Sequence, residues 1–590
     1  MLFLPRRRSK FLSTLIQKQK LSFTALLIIN SLLGTVLPLF CYEAVSELDK
    51  IVLLARHRDF NDIQIMPGLF CILTLGIMII VLHHMRNILS AYYFPMLASN
   101  CRELSFSQIL SNSYQFFKRN HASHTIDIIN KLSDKTVDTA KWLYLAAMNL
   151  SAVLAITVIL IVINKYLAII FLVWWLIITI VCITGSNFIC KYISSADTTA
   201  NTFHHQATDA IANYIEVRLG NKIDKEHNII RRRNNHVFQS VKRIGLFFFN
   251  LELACSIFSI GIIVIFISNA IWFWNEHFIV TQDFAFLAIS VIFIYLLPVP
   301  YLRGCIATRS AYITIRDHLK YLTNFASTSD SAKAKDLTVT KGKIEFKKVT
   351  LKYQQNDNVF KDKTLTIQAG QKVALVGLSG SGKTTFSHMI LRLIKVTSGR
   401  IFIDGQDISN VSLKSLNNSI TILEQEPKLF KRSIRENISY GVKNAKEEDI
   451  VDAAIKACCH DSIMNLDKGY DTIVGERGGK LTQGQKYRIL IARAILKDSA
   501  IIIIDEPDFD LDAISAKQIK EALGYLFAKK TVIIIAHWLE TLKKADRILV
   551  FSRGTIVEDG NHQELLRYDD VYASLWYMQD GGYLPGTFDK

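Results

Sequence analysis

The chain has 590 residues, 50% of them hydrophobic, and a formal charge of +17, with a mean hydropathy of +0.23. That balance excludes an ordinary water-soluble globule and points to a membrane part. The basic charge is assigned to cytoplasmic loops of a polytopic protein rather than to nucleic acid, because such loops gather Lys and Arg. The nine cysteines, from Cys41 to Cys459, show no CxxC or metal-ligand spacing, so neither a disulfide framework nor a zinc site is expected.

Apolar runs near 22–42, 66–84, 143–163, 166–185, 247–271 and 283–303 each approach the ~20 residues that a helix needs to cross a bilayer core. The first follows "PRRRSK", lacks a small-x-small cleavage site and is kept as a retained helix. About twenty residues precede it, which leaves no room for an N-terminal peptidase. Arg6, Arg7, Arg8, Lys10, Lys18 and Lys20 lie before the first span, and Lys191, Arg218, Lys222, Lys225, Arg231, Arg232, Arg233, Lys242 and Arg243 lie between the fourth and fifth. Both groups belong in the cytoplasm, and with them both termini; the links around Asn164 and Glu276 face outside. Few ionisable residues sit at mid-depth, so no ion-coupling relay announces itself. The long cytoplasmic connections, such as "SHTIDIINKLSDKTVDTAKW" and "HHQATDAIANYIEVRL", carry apolar residues at three-to-four spacing and are predicted to be helices projecting from the membrane. Their tips are expected to dock on a cytoplasmic motor.

Residues 1–320 therefore form a membrane domain, 321–341 a polar linker, and 342–590 a domain of alternating strands and helices. Within it, "KVALVGLSGSGKTTFSHMILRLI" reads as strand, glycine-rich turn and helix. Gly377, Leu378, Ser379, Gly380, Ser381, Gly382, Lys383, Thr384 and Thr385 make up the turn and helix start. Glycines let consecutive N–H groups curl around phosphate oxygens, the helix N-terminus adds its positive end, Lys383 reaches the terminal phosphates, and Thr384 ligates magnesium. Further on, the apolar strand "AIIII" ends in Asp505 and Glu506. Asp505 is expected to bind magnesium and Glu506 to polarise the water that attacks the phosphoryl group. Tyr353 precedes the turn at a distance suited to stacking on adenine; Gln425 can offer an amide to magnesium and water; His537 ends another apolar strand near the terminal phosphate.

The order Tyr353, "GLSGSGKTT", Gln425, "VGERGGKLTQGQ", "IIIIDE", Asp512 and His537 resembles the nucleotide-binding domain of ATP-binding cassette (ABC) transporters. The "VGERG" stretch is similar to a segment of the exporter branch, and six spans before one such domain resemble an exporter half-transporter. The resemblance implies an all-α six-helix transmembrane domain followed by an α/β P-loop NTPase domain, with ATP and Mg²⁺ as cofactors. It implies an ATP hydrolase that drives export or flipping of a hydrophobic or amphipathic drug, lipid or peptide by alternating access. Its partners would be membrane lipid and a second half-transporter, because in the family each ATP lies between the P-loop of one domain and the signature of the other. The expected location is the bacterial inner membrane. An ATP-gated channel, a regulatory ABC protein, or the catalytic-Glu-bearing half of an obligate heterodimer are the alternatives.

Two departures from the family pattern stand out. Leu481, Thr482, Gln483, Gly484 and Gln485 replace Leu-Ser-Gly-Gly-Gln. Thr482 keeps a hydroxyl for the γ-phosphate and Gly484 keeps the close backbone approach, which favours a homodimer. After Glu506, Pro507, Phe509 and Asp510 stand where the family favours small residues, although Asp512 remains.

Overall fold

The structure is a computed structural model, and it describes residues 20–57, 62–120, 122–276, 281–323, 334–352, 358–475, 478–505, 513–535, 543–568 and 570–580. The chain divides into two compact units. One comprises Met1–Asn112 with Asn120–Ser327, and the other Ser113–Arg119 with Thr328–Lys590.

The first unit is helical: α1 (Lys20–His57), α2 (Asp62–Leu110), then α4 (Ala122–Ile163), α5 (Lys165–Ala212), the short α6 (Tyr214–Leu219), α7 (Ile223–Asn275), α8 (Thr281–Leu296) and α9 (Pro298–Thr323), with α3 (Tyr114–Arg119) in the other unit. Among the described residues six helical stretches are long and apolar enough to cross a membrane, as the sequence led us to expect. With 53 residues, α7 runs about 80 Å at ~1.5 Å per residue, far beyond a ~30 Å hydrocarbon core. The long connections are thus continuations of the spanning helices. The sixth apolar run, read as one span, is interrupted at Leu297 between α8 and α9. Pro298 and Pro300 have no N–H to donate to the preceding turn, and that breaks the ladder there.

Close helix approach fixes the packing of this unit. A Cβ on Gly34 would lie 2.1 Å from Ser151 Oγ and 2.2 Å from Met148 O, so only glycine lets α1 lie on α4. Asn164 separates α4 from α5, its side chain accepting the Tyr166 N–H and capping α5. A core built from Leu160, Phe171, Trp174, Ile178, Cys182 and Phe266 joins these helices. Within it, Trp174 Nε1 donates to Ser259 Oγ at 3.4 Å.

The second unit holds two sheets. Strands β1 (Ile344–Lys352), β2 (Asn358–Ile367), β3 (Lys372–Gly377), β4 (Ser398–Ile403), β5 (Gln406–Asp407), β6 (Ile420–Leu423), β7 (Ile501–Asp505), β8 (Thr531–Ile535), β9 (Arg547–Ser552) and β10 (Thr555–Gly560) form an antiparallel sheet β2-β1-β4-β5 and a sheet ordered β10-β9-β3-β8-β7-β6. In the latter β9, β3, β8, β7 and β6 run parallel and β10 closes the edge antiparallel. The run of four isoleucines in β7 serves both faces: Ile501 and Ile503 enter one core, Ile502 and Ile504 the other. A parallel strand covered on both sides reads as such an unbroken apolar run. Helices α10 (Lys383–Ile390), α11 (Leu413–Ser419), α12 (Ile434–Ile438), α13 (Glu447–Lys456), α14 (His460–Met464), α15 (Gln483–Lys497), α16 (Ala513–Leu526), α17 (His562–Tyr568) and α18 (Val571–Asp580) complete the unit.

Candidate functional site

Strand β3 is buried from Val373 to Gly377 and delivers the chain to the carboxyl edge of the parallel sheet. Gly377 has φ +146, and a Cβ there would sit 2.2 Å from Phe551 O; the turn that follows depends on its missing side chain. Gly382, at φ +109, caps α10 without any side-chain hydrogen bond. The first N–H groups of α10 therefore lack a side-chain acceptor and present the positive end of the helix to the loop. Lys383 is buried and bends back over the turn, donating to Gly377 O at 2.7 Å and Leu378 O at 3.1 Å. Ser381 Oγ is buried in the same loop and has no hydrogen-bond partner among the described residues. An uncapped helix start, a buried ammonium and an orphaned hydroxyl fit a polyphosphate, and the exposed Thr384 beside them supplies an oxygen suited to magnesium.

Asp505 ends β7, paired across the sheet with Ile535 of β8, and Gln425 lies exposed just beyond β6. Because β3, β8, β7 and β6 are parallel neighbours, the phosphate loop, Asp505 and Gln425 share one edge, where ligands of open α/β sheets bind. Glu506, Asp512, His537 and Tyr353 lie outside the described residues.

The altered signature forms the start of α15. Thr482 is its N-cap: its Oγ1 accepts the Gln485 N–H at 3.3 Å, while Gln485 Oε1 accepts the Thr482 N–H at 3.0 Å. This reciprocal cap ties down both ends of the motif, a role that sequence reasoning missed although the Thr-x-x-Gln spacing signals it. Leu481 and Gly484 are buried, and Gln483, the first helical residue, is exposed.

A further part of the second unit comes from far upstream. Tyr114 of α3 meets the His388 ring of α10 edge-on, with centroids 5.0 Å apart. Burial, and then the Lys118 ammonium, hold the His388 imidazole below its usual range.

Residues 360–508 match the family model described as "ABC transporter". That stretch is an ABC transporter domain. Among curated proteins its ABC relatives include an uncharacterized ABC transporter ATP-binding protein of Haemophilus influenzae, 42% identical over 46% of this chain and 45% of that protein. An ATP-dependent lipid A-core flippase of Syntrophus aciditrophicus is 44% identical over 42% of this chain and 41% of its own length. A putative multidrug export ATP-binding/permease protein of Bacillus subtilis is 43% identical over 41% and 42%. The chain spans less than half the length of these relatives. A solved structure of a bacterial Atm1-family ABC exporter with ATP bound superposes with a TM-score of 0.84, covering 96% of this chain and 98% of that one at 23% identity. The fold, six helices of membrane-spanning length and an α/β nucleotide-binding unit, is the one that solved structure has.

Proposed function

We propose that the protein is an ATP-hydrolysing exporter or flippase of hydrophobic or amphipathic molecules, working by alternating access as a dimer of two such chains in a membrane. The observation that carries this reading is the phosphate loop of α10, with its uncapped helix start, buried Lys383 and orphaned Ser381 hydroxyl, in a chain that also holds six span-length helices. The names of the flippase and multidrug relatives agree with an apolar or amphipathic cargo.

In this reading the loop N–H groups, Lys383 and Ser381 hold the phosphates, and Glu506 takes the proton of the attacking water. Thr384, Gln425 and Asp505 would hold magnesium, which would supply positive charge against the terminal phosphates. Tyr353 stacks on the adenine, and His537 and Asp512 lie against the terminal phosphate and the second subunit. Thr482 and Gly484 of the second subunit close over the γ-phosphate. Support for a dimer comes from α6: it has no buried residue, and around it Ile211, Ile215 and Leu219 are 76%, 67% and 78% exposed. Such an apolar tip suits the surface of a second copy.

The test is Glu506→Gln in protein reconstituted in nanodiscs. ATP binding is expected to persist and steady-state hydrolysis to fall by at least about a hundredfold, the scale of a missing general base. Unchanged turnover would overturn the assignment.

A further inference from the structure

On the antiparallel sheet, away from the parallel strands that carry the phosphate loop, lies an open groove of about 710 Å³. Three oddities of the backbone meet in it. First, the burial pattern of β1 breaks at Lys347 and Lys348, both exposed between buried Phe346 and Val349, and the pairing of β1 with both β2 and β4 shifts register at this point. A bulge here turns two successive side chains toward solvent where a regular strand would send them to opposite faces. Second, Lys348 and Asp362 both have left-handed backbones, φ 50 and φ 47, although neither is glycine. Residues held in that region without being glycine are strained and gather at functional sites. Third, Gly399 at φ +79 brings β4 so close that a Cβ on it would lie 2.1 Å from Lys348 O.

The charges add to this. Lys347 pairs directly with Arg400 across β1 and β4, a like-charge pair that destabilises a sheet unless something neutralises it. Among the described residues neither Lys347 nor Lys348 has an ion-pair partner, and Arg400 reaches Asp407 only at 3.7 Å. The Lys347 ammonium sits over the Phe402 ring, 4.6 Å from its centroid. The backbone N–H groups of Lys348 and Asp362 are already given to Thr364 Oγ1 and Thr350 Oγ1, so the cationic side chains are what these two positions offer a ligand.

We infer that this groove is a second anion site, independent of the nucleotide, that takes the phosphate group of an organophosphate. Lys347, Lys348 and Arg400 close on the phosphate oxygens, as charge-assisted bonds from cations do, and Phe402 flanks the carbon skeleton. The phosphate can belong to a soluble organophosphate or to a phospholipid headgroup; the chemistry recognised is the same.

The experiment measures the acetylation rates of Lys347 and Lys348 by peptide mass spectrometry on the full-length protein in nanodiscs, with ADP and magnesium saturating the phosphate loop. Inositol hexakisphosphate is the soluble probe, myo-inositol its uncharged control, and sulfate at matched ionic strength the control for screening. A parallel arm compares nanodiscs of phosphatidylcholine alone with nanodiscs containing phosphatidic acid. Saturable protection of both lysines by about tenfold, in the soluble arm, the lipid arm or both, supports the site and names its source. Two variants bear on fold as well as binding. Lys348→Gly suits the left-handed backbone, so it keeps or raises the melting temperature, and it should lower probe affinity, read at Lys347, by about tenfold. Arg400→Gln should do the same while relieving the like-charge pair. Absence of protection in both arms, equal protection by sulfate, or unchanged affinity in both folded variants would overturn the inference. None of these readouts depends on ATP hydrolysis or transport.

Discussion

Lys383 bends over its own loop and satisfies two backbone carbonyls, so in the proposed phosphate site its ammonium would be in place beforehand and would give up little freedom on binding. Lys383→Ala should therefore weaken ATP binding by about 2–3 kcal/mol, the range for removing a charge-assisted hydrogen bond from a buried site, as measured with a fluorescent ATP analogue. Lys383→Arg should also fail, because a planar fork cannot replace a compact ammonium inside the curl. Binding that survives both substitutions would remove Lys383 from the phosphate site. The phosphate loop was legible because its chemistry needs contiguous residues: glycines for the turn and Lys-Thr at the helix start occupy fixed neighbouring positions. The groove at Lys347, Lys348 and Arg400 was not. It depends on a bulge and on pairing between strands some fifty positions apart in sequence, and neither the period nor the spacing of residues encodes those.

Elements show the same division. Strands β3, β7 and β8 and six stretches of spanning length follow from apolar runs that one period describes, whereas the break at Leu297 and the placement of α3 depend on missing hydrogen-bond donors and on tertiary packing. The entry into β1 illustrates a device that sequence could not reveal. Asp404, in the turn between β4 and β5, accepts the N–H groups of Thr340, Lys341, Gly342 and Lys343 at 2.7–3.0 Å. Burial alone would push its carboxyl up, but those four hydrogen bonds outweigh it and hold the group below the ordinary carboxylate range. A carboxyl with a lowered folded pKa adds stability above its unfolded value of ~3.9 and loses that stability as pH falls through the folded value. Asp404→Asn should thus destabilise the second unit by about 1–2 kcal/mol at pH 7 and flatten its loss of stability below pH ~4. Chemical denaturation followed at several pH values checks both; a variant with the parent's acid limb would show that Asp404 is not the titrating anchor.

At the scale of the whole molecule, the question is whether two copies of this chain share their ATP sites. The capped start of α15 makes a clean probe, because the Thr482 hydroxyl has two separable jobs. As an N-cap it accepts the Gln485 N–H, a duty that Asn can take over; in the proposed dimer its hydroxyl would face the γ-phosphate held by the other subunit, which Asn cannot imitate in the same way. Thr482→Asn should therefore leave thermal stability within about 0.5 kcal/mol of the parent and yet remove ATP hydrolysis, while Thr482→Ser keeps both. The decisive step combines this variant with Lys383→Ala in one preparation. If each site pairs the phosphate loop of one chain with the α15 start of the other, a mixed dimer carries both lesions in one site and none in the second. With random two-fold assembly, half the dimers are mixed and each keeps one site of two, so about a quarter of parent ATPase should return, although either variant alone is inactive. If the sites are instead completed within a single chain, or by a different partner, mixing restores nothing. Gln483, exposed at the first position of α15, should matter little in the same assay: Gln483→Gly is expected to change the rate by no more than about threefold, since no phosphate contact is assigned to its side chain and the cost is that of a glycine in the first turn. A silent parent chain that becomes active on Gln483→Gly would reverse that reading and mark the altered signature as the degraded half of a heterodimer.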